Sequence, residues 1–320
     1  LLPMSDRIHY ICNAGVLVES GGKKVLVDGL INHNHPVFDR YSPQLEERII
    51  NADPPFDGLD LVLVTHFHSD HFDRHIMASF CRANPQVPVV GSPQVISLLR
   101  AELPVDANLL ELNPARYGYE RLEVNGVDFC AVSLLHSGKE YADAINLGYV
   151  LHLGKTFVHT GDAVNSRQNM EALVQAGAGA GAVGSGAAGV SGPAVTSGAA
   201  KNGVAANNRA GNSGLAEAAT GEVSYPGASS RNLGFAPDAL TAATPRGPVV
   251  ITPFPYLTLP LAFKKFRSLL EPECMFVLHL PREHKDPGGW LEAVHKAWNK
   301  QRDDDLRIIL AKHEGDVFNV

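Results

Sequence analysis

The sequence is short of the features that mark several protein classes. Its 4 cysteines, Cys12, Cys81, Cys130 and Cys274, lie far apart with no CxxC pair, and three sit in apolar runs (YICNAG, DFCAVS, ECMFVL). That spacing excludes a disulfide framework and a cysteine knuckle for zinc, so the thiols read as small buried hydrophobes. No stretch approaches the roughly eighteen consecutive apolar residues of a membrane-spanning helix. The opening "LLPMSDR" lacks the charged-then-apolar layout of a signal peptide. A cytoplasmic protein with no membrane partner is the expectation, with export after loss of a leader left open because the first residue is Leu1. A basic excess is missing too: 27 Lys and Arg face 34 Asp and Glu, for a net charge of -7, which argues against a nucleic-acid partner.

What is present suits a globular enzyme. At 320 residues with 45% hydrophobic side chains, the chain can bury a sizeable core. Strand-like runs are "IHYICNAGVLVES" from Ile8, "KKVLVDGL" from Lys23, "LDLVLVT" from Leu59 and "VPVVGS" from Val87. In "EVNGVDFCAVSLLH" the Asn125-Gly126 pair between two such runs signals a hairpin. "INLGYVLHLGKTFVHTGD" supplies two more runs joined at Gly154. Helix patterns occur in "SPQVISLLRAEL", with Ser92 as N-cap and Pro93 behind it, and in "DPGGWLEAVHKAWNK", where Trp290, Val294 and Trp298 share a face. Many short strands interleaved with helices favour layered sheets covered by helices, an α/β class. Residues 176 to 230 break the pattern, with 36 Gly, Ala or Ser among 55 positions and a single leucine. Such a composition buries too little apolar surface to offset its ordering entropy, so the expectation is one domain over 1–320 interrupted by a flexible insertion.

The chemistry concentrates in "LVTHFHSDHFD", residues 63 to 73. After an apolar strand, His66 and His68 at i and i+2 project to one side, and a turn at Ser69 brings Asp70 and His71 round to a second point nearby. Imidazole and carboxylate suit borderline cations such as zinc. Two cations need more donors than these four, and other strand ends supply them. His136 ends "DFCAVSLLH", Asp162 ends "KTFVHTGD", and His279 sits near the end of "CMFVLHL". A polar residue terminating a buried strand is costly without a partner.

These residues resemble the metallo-β-lactamase superfamily, whose H-x-H-x-D-H hallmark appears as His66, His68, Asp70 and His71, followed by His136, the Gly161-Asp162 turn and His279. The resemblance spans nearly the whole chain outside the insertion, and within the family "NLGYVLHLGKTFVHTGDA" and "FVLHLP" look most similar to the ascorbate-phosphate-lactonase-like branch. One departure is the distance from Asp162 to His279, 117 residues, which removing the insertion largely corrects. The resemblance implies an αβ/βα four-layer sandwich and two divalent metal ions, zinc or alternatively manganese or iron. His66, His68 and His136 would hold the first, Asp70, His71 and His279 the second, with Asp162 bridging. A hydroxide shared by the metals would attack an ester-like bond of a small-molecule substrate, a lactone or a phosphoester, with Asp70 orienting it or carrying its proton.

Other residues stay open. Asp28 and Asp73 fit either acceptors behind the ligand histidines or a turn and a helix cap. His284 competes with His279 for the last ligand position; His279 is preferred because it lies on a strand. His33, His35 and Tyr256 are either near the pocket mouth, as the resemblance implies, or plain surface loop residues. Gly148 to Thr156 is no phosphate loop, since the spacing is wrong and no helix follows. Competing functions are a phosphodiesterase or nuclease on the same site, a di-iron redox protein, and a non-catalytic metal-binding scaffold.

Overall fold

The computed structural model describes residues 6–31, 41–178, 247–253, 268–280 and 306–320, with the single positions 289, 292 and 296. The chain opens with β1 (Arg7–Cys12), β2 (Gly15–Ser20) and β3 (Lys23–Val27), an antiparallel meander, then turns parallel through β4 (Leu61–Leu63), β5 (Val89–Gly91) and β6 (Leu109–Glu111). The second sheet repeats this plan. β7 (Tyr119–Val124), β8 (Val127–Leu134), β9 (Asn146–His152) and β10 (Thr156–His159) are antiparallel; β11 (Val249–Pro253), β12 (Cys274–Leu278) and β13 (Arg307–Leu310) follow in parallel. The last strand, β14 (Val317–Asn319), returns to pair with β1, so each sheet has seven strands.

Successive side chains of a strand point to opposite faces, so the continuously apolar inner strands give each sheet two apolar faces at its centre. Val16 and Val18 of β2, Val25 and Val27 of β3, and Phe129 and Ala131 of β8 share one buried cluster with Tyr149 of β9, Phe157 of β10 and Phe276 of β12, which is the seam between the sheets. Their neighbours point outward to helices. Leu17 and Leu26 join Leu45 and Ile49 of α1 (Pro43–Ile50), Met77 and Phe80 of α2 (Arg74–Ala83), and Val95 and Leu99 of α3 (Pro93–Arg100). Cys130 and Val132 pack against Met170 and Leu173 of α4 (Arg167–Ala178). The result is a four-layer helix–sheet–sheet–helix sandwich, the α/β architecture expected from the sequence.

Ser92 caps α3 through the Val95 N–H with Pro93 in its first turn, and the Asn125-Gly126 hairpin forms with both residues left-handed, as a two-residue turn requires. The run from Ile8 to Ser20 differs from its expectation. Rather than one strand it is two, because Asn13 takes φ 52° and folds the chain back on itself. Residues 176–178, expected to begin the insertion, are the last turn of α4, with Ala176 buried against Cys130. The rest of the Gly/Ala/Ser-rich stretch and, apart from Gly289, Glu292 and Lys296, the helix expected around Trp290 lie outside the described residues. Among the described residues no helix is long and apolar enough to cross a membrane.

Candidate metal centre

The site forms where strands of both sheets end. β3 runs into Asp28, β4 into the 65–73 segment, β8 into His136, β10 into Asp162 and β12 into His279. In the 65–73 segment the N–H groups of His71 and Phe72 both donate to the His68 carbonyl, a tight turn that doubles the chain back between the two ligand pairs. The Gly161-Asp162 turn has an equally specific cause. Asn146, 1% exposed, accepts the Asp162 N–H on Oδ1 and donates from Nδ2 to the Thr160 carbonyl. Gly161 takes φ 52°, and a Cβ there would stand 2.3 Å from Asn146 Oδ1, so only glycine fits.

The seven expected side chains gather into two groups, His66, His68 and His136 in one, and Asp70, His71, Asp162 and His279 in the other, with donor atoms in each within 4.8 Å of one another. His136 Nε2 lies 3.3 Å from His66 Nε2, and His279 Nε2 lies 3.0 Å from His71 Nε2. Asp162 reaches both groups. Its Oδ1 is 3.2 Å from His71 Nε2 and 3.7 Å from His279 Nε2, while Oδ2 is 3.9 Å from His136 Nε2. Asp70 Oδ2 stands 3.6 Å from His279 Nε2 and 3.8 Å from His71 Nε2.

The partners behind the rings decide which nitrogen faces inward. His136 Nδ1 lies 2.5 Å from the Ser137 carbonyl, which can only accept, so Nδ1 carries the proton and Nε2 a lone pair. His71 Nδ1 faces Asp28 Oδ2 at 2.7 Å, so it too carries a proton and leaves Nε2 as the atom turned towards the second group. Thr65 Oγ1 spends its proton on Asp28 Oδ2 at 2.6 Å and so accepts from His66 Nδ1 at 2.9 Å. Asn13 Nδ2 stands 3.3 Å from His279 Nε2, which is again the acceptor. Four of the five imidazoles therefore turn Nε2 inward, two by two. Tetrahedral coordination at about 2.0–2.1 Å sets neighbouring donors about 3.3 Å apart, close to the spacings seen. The donor set, its inward-turned Nε2 atoms and the buried Asp162 carboxylate between the two groups all fit divalent cations.

Electrostatics point the same way. Burial, then the neighbouring His71, hold the His66 imidazole well below its ordinary pKa, and burial with His136 lowers His68, so both are neutral donors. Burial alone would also lower His71, but the carboxylates of Asp162 and Asp70 outweigh it and push its pKa well above the usual value. Burial would raise Asp162, and the nearby His71 and His279 overcome this and hold its carboxyl well below the ordinary range.

Asp28, 1% exposed, is an acceptor behind the histidines: besides His71 it takes the Thr65 N–H at 2.8 Å and the Thr65 hydroxyl. Asp73 is not. Its carboxylate accepts the His75 and Ile76 N–H groups and caps α2, satisfying donors that the first helical turn leaves unpaired. His33, His35, Tyr256 and His284 lie outside the described residues. Four contributors escaped the sequence reading: Asn13, Thr65, Asn146 and Tyr141. Tyr141, 44% exposed, sets its ring edge-on 4.8 Å from His68 and 5.3 Å from His136. The one signal in sequence was a polar residue interrupting an apolar run, at Asn13 and Asn146.

Known proteins are similar to this chain in sequence and in fold. The beta-lactamase superfamily domain matches residues 11–178, which carry six of the seven clustered side chains. A UPF0173 metal-dependent hydrolase of Thermoplasma acidophilum is 30% identical over 156 residues, 48% of this chain and 58% of the relative. The chain thus spans less than two thirds of that relative's length. Among solved structures, Igni18, a metallo hydrolase of Ignicoccus hospitalis, superposes with a TM-score of 0.52 at 14% identity, covering 98% of both chains. The diiron beta-hydroxylase CmlA of Streptomyces venezuelae reaches 0.50 at 12% identity, covering 99% of this chain and 55% of its own. At such identities the superpositions speak for the fold alone. The match over 11–178 covers more than half of the 320 residues, and with it the chain belongs to the metallo-β-lactamase superfamily.

Proposed function

We propose that the protein is a metal-dependent hydrolase that opens an ester-like bond, a lactone or a phosphoester, in a small-molecule substrate. The observation that carries this reading is the Asp162 carboxylate set between two donor groups, one oxygen towards His71 and His279 and the other towards His136. His66, His68 and His136 would hold one cation, Asp70, His71 and His279 the other, with Asp162 shared. Two divalent ions there, zinc by the donor set or else manganese or iron, would lower the pKa of a shared water from about 15.7 towards about 7 and polarise the substrate oxygen.

The chain's own residues do the rest. Asp28 keeps the proton of His71 on Nδ1 and, through Thr65, that of His66 as well, leaving both Nε2 atoms as donors. Asp70, whose side chain is 21% exposed, sits at the open side of the second group, where it can orient the attacking water or take its proton. Half-buried His68 and exposed Tyr141 mark the side from which substrate approaches. The net charge of -7 supports a small substrate over a nucleic acid.

Elemental analysis of purified protein, paired with a panel of lactones, phosphodiesters, thioesters and β-lactams, tests the reading. About two zinc or manganese ions per chain with turnover of a panel member is the expected result. Two irons would move the assignment to redox chemistry, and protein that takes up no metal would overturn it.

A further inference from the structure

The hairpin turn between β1 and β2 reaches into the second donor group through Asn13, which is 3% exposed and left-handed at φ 52°. Its carbonyl accepts the His279 N–H at 3.0 Å, and its Nδ2 donates to the Asp70 carbonyl at 2.9 Å while standing 3.3 Å from His279 Nε2. Thus one residue of the β1–β2 turn contacts two of the four residues of that group, one through its backbone carbonyl and 57 residues away, the other through its backbone and ring and 266 residues away.

His279 needs holding. Just past β12 it adopts φ 58°, a left-handed conformation that a β-carbon disfavours and that persists only where surroundings impose it. The bond from its N–H to Asn13 imposes it on the backbone, and the Asn13 amide faces its ring nitrogen beside His71 Nε2, which lies 3.0 Å away. Because Asp70 offers a carbonyl, the amide must present Nδ2 on that side, and the second N–H then faces a ring nitrogen that can only accept. The longer contact, at 3.3 Å, is the one that yields when a cation takes the lone pair; the 2.9 Å bond to Asp70 stays. Among the described residues Asn13 Oδ1 is buried without a partner, a cost that a side chain serving only the core would not carry.

We infer that Asn13 is a positioning residue that presents His279 and Asp70 to a cation in the second donor group. The inference rests on the metal-binding reading above, and the test separates the two. Cobalt(II) is titrated into metal-free protein against a competing chelator and followed by visible absorption, for the wild type and for Asn13→Gly. Glycine keeps the left-handed turn and the backbone bond and removes only the amide. The expected result is two binding steps in the wild type, and in the variant a second step weakened by about tenfold or more with the first within about twofold.

Nitrogen NMR of the His279 ring gives a readout that loss of packing alone would not move. Nε2 should be unprotonated in the metal-free wild type, where the Asn13 amide and His71 Nε2 both face it, and should show a coupling across the hydrogen bond to the Asn13 amide nitrogen that is lost in Asn13→Gly. Unchanged steps, or both steps weakened alike, overturn the inference. A wild type without a second step overturns the metal-binding reading itself before any variant is made. Should the variant fail to fold, the wild-type ring decides: a proton on Nε2 that does not come from a charged ring, or a bare Nε2 with no coupling to the Asn13 amide nitrogen, overturns the assignment, and a bare Nε2 so coupled upholds it.

Discussion

The Asp28 carboxylate and the His71 ring lie 2.7 Å apart with both side chains fully buried, and the same carboxylate takes both Thr65 donors. Three donors converge on two oxygens. Since Thr65 in turn accepts from His66, one acid orients a histidine in each donor group. Asp28→Asn supplies one oxygen and turns an N–H₂ towards a donor, so metal affinity should fall in both groups by about 10- to 100-fold. Competitive chelator titration measures this, and an unchanged affinity in either group would break the link through Thr65.

His68 is half-buried and contributes to no buried apolar cluster, so its removal should spare the fold. His68→Ala leaves the first donor group with two side chains, and turnover should drop by more than the roughly 100-fold typical of losing an outer partner. Circular dichroism should match the wild type. Activity that survives the substitution would show that the nucleophile is not generated at this group.

Among His66, His68, His71 and His279, His71 is the one whose surroundings favour a proton. Burial opposes it, but Asp162 and Asp70 hold the His71 pKa well above the usual imidazole value, so near neutral pH the ring is protonated on both nitrogens and Nε2–H faces His279 and Asp162. A cation must expel that proton. Uptake at the second group should therefore release about one proton, and apparent affinity should rise about tenfold per pH unit until the raised His71 pKa is passed, then level off. Calorimetric titration in two buffers of different ionisation enthalpy counts the proton, and a count of zero would mean that His71 is neutral before metal arrives.

The clustered side chains were legible because each is a polar residue closing an apolar strand, a pattern that local sequence displays. Their partners were not. Asp28 reads equally well as a turn residue or as an acceptor, and what decides is the parallel register Val27↔Leu63, which sets the residue after β3 beside Thr65. Asp73 carries the same local signal and goes the other way, because the helix that follows claims its carboxylate. Asn13 was hidden inside a run that reads as one continuous strand; Asp70 comes near it through the strand order of the first sheet, and His279 only when the two sheets stack. Alternation gave the strands and their faces; pairing across the seam is a property of the whole chain.

Gly161 is the position where backbone and site are most tightly joined. It is left-handed, and a methyl group there would meet Asn146 Oδ1 at 2.3 Å and the Thr65 Cβ at 3.0 Å. Asn146 cannot retreat, since it holds the Asp162 N–H and the Thr160 carbonyl together, and Thr65 cannot without dragging Asp28 from the histidines. Gly161→Ala therefore combines the conformational cost of about 1–2 kcal/mol with overpacking of about 1–3 kcal/mol. Urea denaturation should show a loss of about 2–5 kcal/mol, and the shared carboxylate of Asp162 should be displaced with the turn. Metal stoichiometry separates the two effects: a variant that is less stable yet still binds both ions with wild-type affinity would mean that Asp162 keeps its place independently of this turn. Loss of affinity at both groups together, not at one, is the outcome that a carboxylate shared between them requires.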